Sequence, residues 1–138
     1  MLGIYVDNLK LPWVPNIFRL AEKMDVVLFV NNFSDFDVHS YVSVLASHHI
    51  WSFKGPIIAG DTFSARYLSG CPIQNKRFFY INHIDWATNA FNATDVIKAA
   101  SLPIICEPEM EGVIKSVWKE PLVVRGWNYE GIQRILGR

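Results

Sequence analysis

The sequence predicts an α/β fold, with a single doubly wound, mostly parallel sheet of about six strands and helices on both faces. Short apolar runs alternate with amphipathic segments, at about 23 residues per unit over the 138 residues. Several runs are nearly continuous in Val, Leu, Ile and Phe, which is typical of strands buried on both faces. Parallel neighbouring strands must be joined by a crossover, which the segments between the apolar runs are long enough to form. We expect one domain over 1–138 with Rossmann-like strand order, and flavodoxin-like order as the second choice.

The first predicted strand is Leu2–Val6, and Pro15 is suited to the first turn of the helix that follows. The apolar face of this helix consists of Val14, Ile17, Leu20, Ala21 and Met24. The second strand is Asp25–Val30. Ser34 and Asp37 resemble a capping box ahead of a second helix. Its helical spacing is given by Val38, Tyr41, Val42 and Leu45.

The middle of the chain predicts a third strand, a capped helix and the central strand. Residues 48–53 give no assignable pattern, and the apolar run IIA then leads into Asp61, which is suited to cap a helix over Thr62–Leu68. Gly70 closes that helix. The stretch Arg77–Asp85, with the sequence RFFYINHID, indicates a buried strand that ends in polar side chains.

The last part of the chain continues the alternation. A helix is predicted near Thr94–Ala100 and a strand over Leu102–Cys106. The clearest helical periodicity follows, carried by Met110, Val113, Ile114, Val117 and Trp118. Pro121–Val124 forms the sixth strand, and Asn128 is suited to cap a final helix that runs to Leu136.

Charge and composition disfavour some classes of function. Lys plus Arg equal Asp plus Glu at 13 each, and the charges are spread along the chain, so no nucleic-acid partner is predicted. No apolar run approaches the roughly 18 residues of a membrane span, and no leader pattern opens the sequence, so we expect a cytoplasmic protein. Cys71 and Cys106 have no CxxC or Cys/His zinc spacing, which favours free thiols, and Cys106 is expected to be buried because it stands inside an apolar run.

The candidate ligand-binding residues follow from the predicted fold. Ligands of such sheets bind beyond the carboxyl ends of the strands, near the point where the strand order reverses. The polar residues just past the apolar runs are Asp7, Asn8, Asn31, Asn32, Asp61, Thr62, Asn82, Glu107 and Arg125. Asn and Asp are also preferred in loops and at helix caps, so a structural role is the alternative for Asn31, Asn32, Asp61 and Thr62.

His83 and Asp85, at the end of the central strand, form the candidate catalytic pair. A histidine can act as a general base near neutral pH, and a neighbouring carboxylate can fix its tautomer and raise its basicity. No metal site is predicted, because the four histidines show no recognised ligand spacing. No cofactor is predicted, since the motifs GxGxxG, GxxxxGK[ST] and GxSxG are all absent.

The second half of the chain resembles a known family. The runs FFYINHIDW, ATDVIKAASLP and IICEPEMEGVIKSVWKEPLVVRGWNYEGIQRIL are similar to the end of the amino-terminal domain of GT-B type glycosyltransferases. His83 and Asp85 match the strand that ends in a histidine and an acidic residue, Ile104–Glu107 matches the next strand, and Val123–Tyr129 matches the exit turn. Asn128 stands where the family usually has aspartate, and both the glycine-rich loop after the first strand and the donor-binding second domain are missing.

The resemblance implies the acceptor-side half of a glycosyltransferase. His83 would then be the base for an acceptor hydroxyl, with Asp85 as its orienting partner. The implied ligands are a nucleotide sugar and a hydroxyl acceptor, and the implied partner is a separate donor-binding domain or a second copy of the chain. Exposed aromatic residues near the cleft, namely Trp86, Trp127 and Tyr129, would suit contacts with sugar or partner.

Two other classes of protein remain open. One is a non-catalytic ligand-binding or protein-interaction domain built on the same sheet. The other is a receiver-type phosphoacceptor domain, since Asp7 follows the first strand and Asp61 the third. That alternative lacks paired acids after the first strand and a Lys-Pro pair after the fifth. Self-association as a homo-oligomer is a further expectation, because five tryptophans cannot all be central in so small a core.

Overall fold

The computed structural model describes residues 1–32, 42–82, 96 and 98–137. These residues contain a single sheet of seven strands, and every neighbouring pair of strands is parallel. The strands are β1 (Leu2–Val6), β2 (Val26–Val30), β3 (Ser43–Ala46), β4 (Ile57–Ala59), β5 (Arg77–Ile81), β6 (Ile104–Cys106) and β7 (Leu122–Val123).

The strand order is β3-β2-β1-β4-β5-β6-β7, so the sheet is Rossmann-like, and the flavodoxin-like second choice is not adopted. The chain builds outward from β1 through β2 to β3, then crosses back to place β4 on the other side of β1. The order therefore reverses between β1 and β4. Because all strands are parallel, the residues that follow them meet at one edge of the sheet, which we call the carboxyl edge.

Helices cover both faces of the sheet, as predicted. They are α1 (Val14–Ala21), α2 (Thr62–Ser69), α3 (Glu111–Val117) and α4 (Tyr129–Leu136). One apolar core packs α1 and α4 against the face that carries Leu2, Ile4 and Val6. The second core packs α2 and α3 against the face that carries Tyr5. Side chains that alternate along each buried strand thus supply both cores.

The helix predicted through Val42 and Leu45 is wrong in its last residues. Ser43–Ala46 is an edge strand, which pairs with β2 and brings the sheet to seven strands. Its side chains alternate between exposed and half-buried, and a four-residue stretch of this kind cannot be distinguished from a helix by spacing alone. The predicted capping box at Ser34 lies outside the described residues. The unassigned stretch that follows contains a 3-10 helix, Ser47–Ser52.

The predicted helix caps are confirmed. The Asp61 side chain accepts a hydrogen bond from the Ser64 N–H at 2.8 Å, and the Asn128 side chain accepts one from the Gly131 N–H at 3.0 Å. Pro15 lies in the first turn of α1. These caps satisfy N–H groups that the first turn of a helix cannot pair internally.

The apolar periodicity predicted for α3 gives the right helix, but only part of the predicted buried face. Ile114 is fully buried, whereas Val113 is 47% exposed and Val117 is 62% exposed. The predicted helix near Thr94–Ala100 is described only at 96 and 98–100, of which 96, 98 and 99 are helical and Ala100 lies in a turn.

Both cysteines are free, as predicted, and both are buried, which the sequence predicted for Cys106. Burial raises the pKa of the Cys106 thiol to about 11 and also raises that of Cys71, so neither thiol is an activated nucleophile. In the part of the chain that is described, no helix has the length and apolar character needed to cross a membrane.

Candidate functional site

Polar side chains at the point of strand reversal form a connected group, which we call the β1–β4 cluster: Asp7, Asn8, Asn31 and Asp61. Asp7 and Asp61 follow β1 and β4, the two strands that flank the reversal. The Asp7 carboxylate accepts hydrogen bonds from the side-chain amides of Asn31 at 3.2 Å and Asn8 at 3.3 Å. Tyr5 in turn donates its hydroxyl to Asn31 Oδ1 at 2.7 Å. Four predicted site residues are therefore brought together.

Asp61 is the most fully bonded member of the β1–β4 cluster. Its carboxylate accepts from the backbone N–H of Asp7 at 2.8 Å, from the Ser64 N–H at 2.8 Å and from the Ser64 hydroxyl at 3.1 Å. Burial raises the pKa of Asp61 to about 6, although these hydrogen bonds act in the opposite direction. The side chain therefore links the end of β1 to the start of α2.

The other hydrogen bonds in and beside this cluster lie within or between the loops that follow β1 and β2, and Thr62, the remaining candidate here, is buried. The backbone carbonyl of Asp7 accepts from the N–H groups of Asn31 at 3.2 Å and Asn32 at 3.0 Å. Asn8 Oδ1 accepts from the Lys10 N–H at 2.9 Å. Thr62 is fully buried in the first turn of α2. Thr62 thus presents no surface to a ligand in this structure.

Glu107 is held at the far side of the carboxyl edge, where β6 ends. Its two carboxylate oxygens accept from the Gly126 N–H at 2.9 and 3.1 Å. The Tyr80 hydroxyl lies 3.0 Å from Glu107 Oε1 and 3.1 Å from the Val124 carbonyl oxygen. Burial raises the pKa of Tyr80 well above its ordinary value, so this phenol keeps its proton as a donor.

The turn that follows β7 places Trp127 at the centre of an aromatic stack. Gly126 and Trp127 have positive φ angles of 59° and 61°, and the Asn128 N–H closes the turn on the Arg125 carbonyl at 3.0 Å. Such a conformation is strained for a residue with a bulky side chain. It is stabilised by contacts, since the Trp127 ring stacks on Tyr80 at 4.2 Å and on Trp13 at 6.0 Å.

Asn82 connects this stack to the strand that reverses the sheet order. Its Oδ1 accepts from the Trp127 indole N–H at 2.8 Å, and its Nδ2 donates to the Gly60 carbonyl at 3.2 Å. Gly60 leaves room for the six-membered ring of Trp13, because a β-carbon there would collide with it. The end of β5 is therefore anchored both to β4 and to the turn after β7.

An open cleft of about 440 Å³, which we call the Trp13 cleft, lies between Trp13, Asn82 and Glu107. Its described lining consists of Pro12, Trp13, Asn16, Asn82, Glu107 and Glu109. The cleft contains one indole, two amides and two carboxylates, and none of the described residues that line it is basic. Its volume falls in the range of small-molecule sites.

Arg125, the last candidate, does not line the Trp13 cleft. Its guanidinium pairs with Glu109 at 3.0 Å on the exposed surface, and the pKa of the Glu109 carboxyl is lowered by a hydrogen bond from its own backbone N–H and by this contact. Arg125 also lines a separate groove of about 430 Å³, together with Arg19 and Lys23.

The candidate catalytic residues His83 and Asp85 lie outside the described residues. Among the residues that are described, no group of three or more His, Cys, Asp or Glu side chains is arranged to hold a metal ion. His48 and His49 lie beside each other, with ring centroids 4.2 Å apart, in the 3-10 helix after β3.

Sequence reasoning missed Trp13, Asn16 and Tyr80. The signal for Trp13 was present, since it stands between two prolines just ahead of α1, within the segment LPWVP. The expectation that Trp127 is exposed near the cleft is wrong, because it is 1% exposed and occupies the stack. Tyr129 is half-buried, and Trp86 lies outside the described residues.

The fold and this edge define the class of protein: an open, all-parallel α/β domain of Rossmann-like order with a polar cleft at the carboxyl ends of its strands. Comparison with family models, with curated proteins and with solved structures gives no match to the chain.

Proposed function

We propose that the chain is the acceptor-side domain of a GT-B type glycosyltransferase, in which the Trp13 cleft holds a hydroxylated acceptor. A separate donor-binding domain, or a second copy of the chain, supplies the sugar donor. The observation that carries the proposal is the chemistry of the cleft, with its indole, two amides and two carboxylates. Carboxylates and amides bond to hydroxyl groups, and the small exposed part of Trp13 offers an apolar contact beside them.

The charge of the cleft supports an acceptor over a donor. A nucleotide sugar carries a diphosphate, and the carboxylate of Glu107, which has no basic partner among the described lining residues, would repel it at close range; the carboxylate of Glu109 is paired with Arg125. An uncharged sugar or polyol meets no such repulsion, and its hydroxyls can donate to the same oxygens. The donor therefore binds elsewhere, on the partner domain or the second copy.

The resemblance assigns the chemical step to His83, which directly follows the cleft residue Asn82 in the chain. His83 accepts the proton of the acceptor hydroxyl, whose oxygen forms the new bond to the anomeric carbon of the donor. The nucleoside diphosphate leaves with the electrons of the broken glycosidic bond. Asp85 orients the imidazole during this transfer.

The proposal is tested by calorimetric titration of the chain with a panel of mono- and oligosaccharides and of nucleotide sugars. We expect at least one saccharide to bind saturably and the nucleotide sugars not to bind. A Glu107→Gln variant should weaken saccharide binding, because one carboxylate acceptor becomes an amide donor. The matched control is Glu120→Gln, at an exposed ion pair with Lys115 that does not line the cleft.

Saccharide binding that is equally tight in Glu107→Gln, or no saccharide binding at all, would contradict the proposal.

A non-catalytic binding domain differs from an acceptor-side domain in one measurement, the transfer of sugar. The acceptor-side domain transfers sugar when a donor-binding half is present, and His83→Ala abolishes that transfer without weakening acceptor binding. A binding domain transfers nothing. Light scattering that gives one chain per particle at high micromolar concentration would exclude a second copy as the completing partner.

A further inference from the structure

Trp13 carries a buried hydrogen-bond donor without a partner. Its side chain is 7% exposed, its indole nitrogen has essentially no accessible surface, and no described residue offers that nitrogen an acceptor. Buried polar groups in folded proteins are nearly always paired, since an unpaired one costs about 1–3 kcal/mol. Trp13 also lines the Trp13 cleft, so a ligand bound there is in a position to supply the acceptor that the described residues do not.

The neighbouring Trp127 shows that an indole N–H in this aromatic stack can find a hydrogen-bond acceptor within the fold. Trp127 lies parallel to Trp13 at a centroid distance of 6.0 Å and is buried to a similar degree. Its indole N–H, however, donates to Asn82 Oδ1 at 2.8 Å. The same kind of group is thus paired within the fold in one tryptophan and unpaired in the other.

The other polar groups of the cleft define the ligand atom that Trp13 needs. Asn82 uses both ends of its amide within the protein, and Asn16 Oδ1 accepts from Arg19. The Glu107 oxygens can accept further hydrogen bonds but cannot donate while ionised. A ligand that serves both Trp13 and Glu107 must therefore offer both an acceptor and a donor, and the hydroxyl groups of a polyol do so without adding charge.

We propose that Trp13 is a ligand-binding residue, whose indole N–H donates to a hydroxyl oxygen of an uncharged polyhydroxylated molecule in the Trp13 cleft. Another hydroxyl of that molecule donates to Glu107. The inference rests on the proposed function only for the location of the ligand. Since the nitrogen has essentially no accessible surface in the free protein, the ligand reaches it only after the residues that cover it move, so binding is coupled to a local rearrangement around Trp13.

The experiment follows the indole N–H resonances of the ¹⁵N-labelled full chain during titration with glucose, glycerol and myo-inositol. Trp13→Phe assigns the Trp13 resonance by its disappearance. We expect the Trp13 N–H to shift saturably and to move in the direction of a newly formed hydrogen bond. The Trp51 N–H is the internal control, because Trp51 is 51% exposed and does not line the cleft.

A second variant separates the hydrogen bond from the packing of the ring. Replacement of Trp13 by its benzothienyl analogue keeps the shape of the ring and removes the donor. We expect about threefold to tenfold weaker binding of the same polyol, which is the range for one neutral hydrogen bond. Trp51→Phe should leave binding unchanged.

Each outcome decides a different claim. Equal binding by the analogue, with Glu107→Gln still weakened, overturns the inference and leaves the proposed function standing. Binding of glycerol or myo-inositol through Trp13, without binding of any sugar, supports the inference and contradicts the proposed function. A Trp13 resonance that does not move with any of the three polyols at high millimolar concentration overturns the inference, and the saccharide panel then decides the function separately.

Discussion

The two halves of the carboxyl edge use the same residue types in opposite ways. In the β1–β4 cluster, Asp7, Asn31 and Asp61 bond to one another, to backbone groups and to side chains of their own elements. In the Trp13 cleft, Glu107 and Asn82 are also anchored, yet the indole N–H of Trp13 has no partner. The strained turn at Trp127 contacts this half of the edge through the stacked ring of Trp13 and the side chain of Asn82.

The different hydrogen bonding of the β1–β4 cluster and the Trp13 cleft indicates that polar residues at the end of a strand do not by themselves define a binding site. A carboxylate that accepts three internal hydrogen bonds, as Asp61 does, holds elements together. A cleft with spare acceptors and an unpaired donor has hydrogen-bonding capacity left for a ligand. We therefore propose a structural role for the β1–β4 cluster and a binding role for the Trp13 cleft, and the following changes test that division.

The largest expected effect comes from removing the centre of the aromatic stack. Trp127→Ala should lower the free energy of unfolding by about 3–5 kcal/mol, because it removes a fully buried ring that contacts both Tyr80 and Trp13. Denaturant unfolding measures the change. Trp51→Ala is the control at an exposed tryptophan and should cost far less; equal costs would show that the stack does not stabilise the cleft half.

The next effect concerns pH and belongs to the β1–β4 cluster. The Asp61 pKa rises from 3.8 to about 6 on folding. The folded state therefore binds more protons than the unfolded state between these values, and stability falls as pH rises from about 4 to 6. The size of this contribution is about 3 kcal/mol, at 1.4 kcal/mol per pKa unit.

Asp61→Asn checks this pH dependence, because asparagine retains the cap to Ser64 but does not titrate. The stability of the variant should change less between pH 4 and 7 than that of the unmodified chain, as measured by denaturant unfolding at each pH. At neutral pH the variant also loses the acceptor for the Asp7 N–H. A parallel pH profile in both proteins would contradict the assignment.

A smaller effect is expected from Glu107→Gln, which links stability to binding. Glutamine keeps one oxygen that can accept from the Gly126 N–H and the Tyr80 hydroxyl, but its amide nitrogen cannot replace the second acceptor, so the free energy of unfolding should fall by about 0.5–1.5 kcal/mol. Ligand binding should weaken in the same variant. Glu109→Gln, at the exposed pair with Arg125, should leave the unfolding midpoint unchanged. A Glu107→Gln protein as stable as the unmodified chain would show that Glu107 does not hold the turn.

The smallest effect compares two glycines that both have open space where a β-carbon would lie. Gly126 has a φ of 59°, so Gly126→Ala should destabilise by about 1 kcal/mol through backbone strain alone. Gly112 lies within α3, so Gly112→Ala should stabilise by about 0.5–1 kcal/mol. Opposite signs in thermal or denaturant unfolding confirm the left-handed turn; the same sign in both would contradict it.

Local patterns were enough to predict most of the fold. Continuous apolar runs such as Val26–Val30 marked the buried strands, and the caps Asp61 and Asn128 marked two helix starts. The edge strand Ser43–Ala46 was missed, because the apolar residues Val42 and Leu45 are three positions apart, and so short a segment fits a helix as well as a strand. Its pairing with β2, which no local pattern encodes, decided the outcome.

The candidate site divides along a similar line. The sequence by itself determined which polar residues stand at the ends of strands, because strand ends follow from local apolar runs. Which of these polar residues are hydrogen-bonded to one another, and which line a cleft, follows from the tertiary structure. Those contacts depend on the strand order and on donors that are distant in sequence. Asn82 meets Trp127 across 45 positions, and Asp7 meets Asp61 across 54. The unpaired N–H of Trp13 exists for the same reason: whether a buried donor finds an acceptor is settled by its neighbours in space.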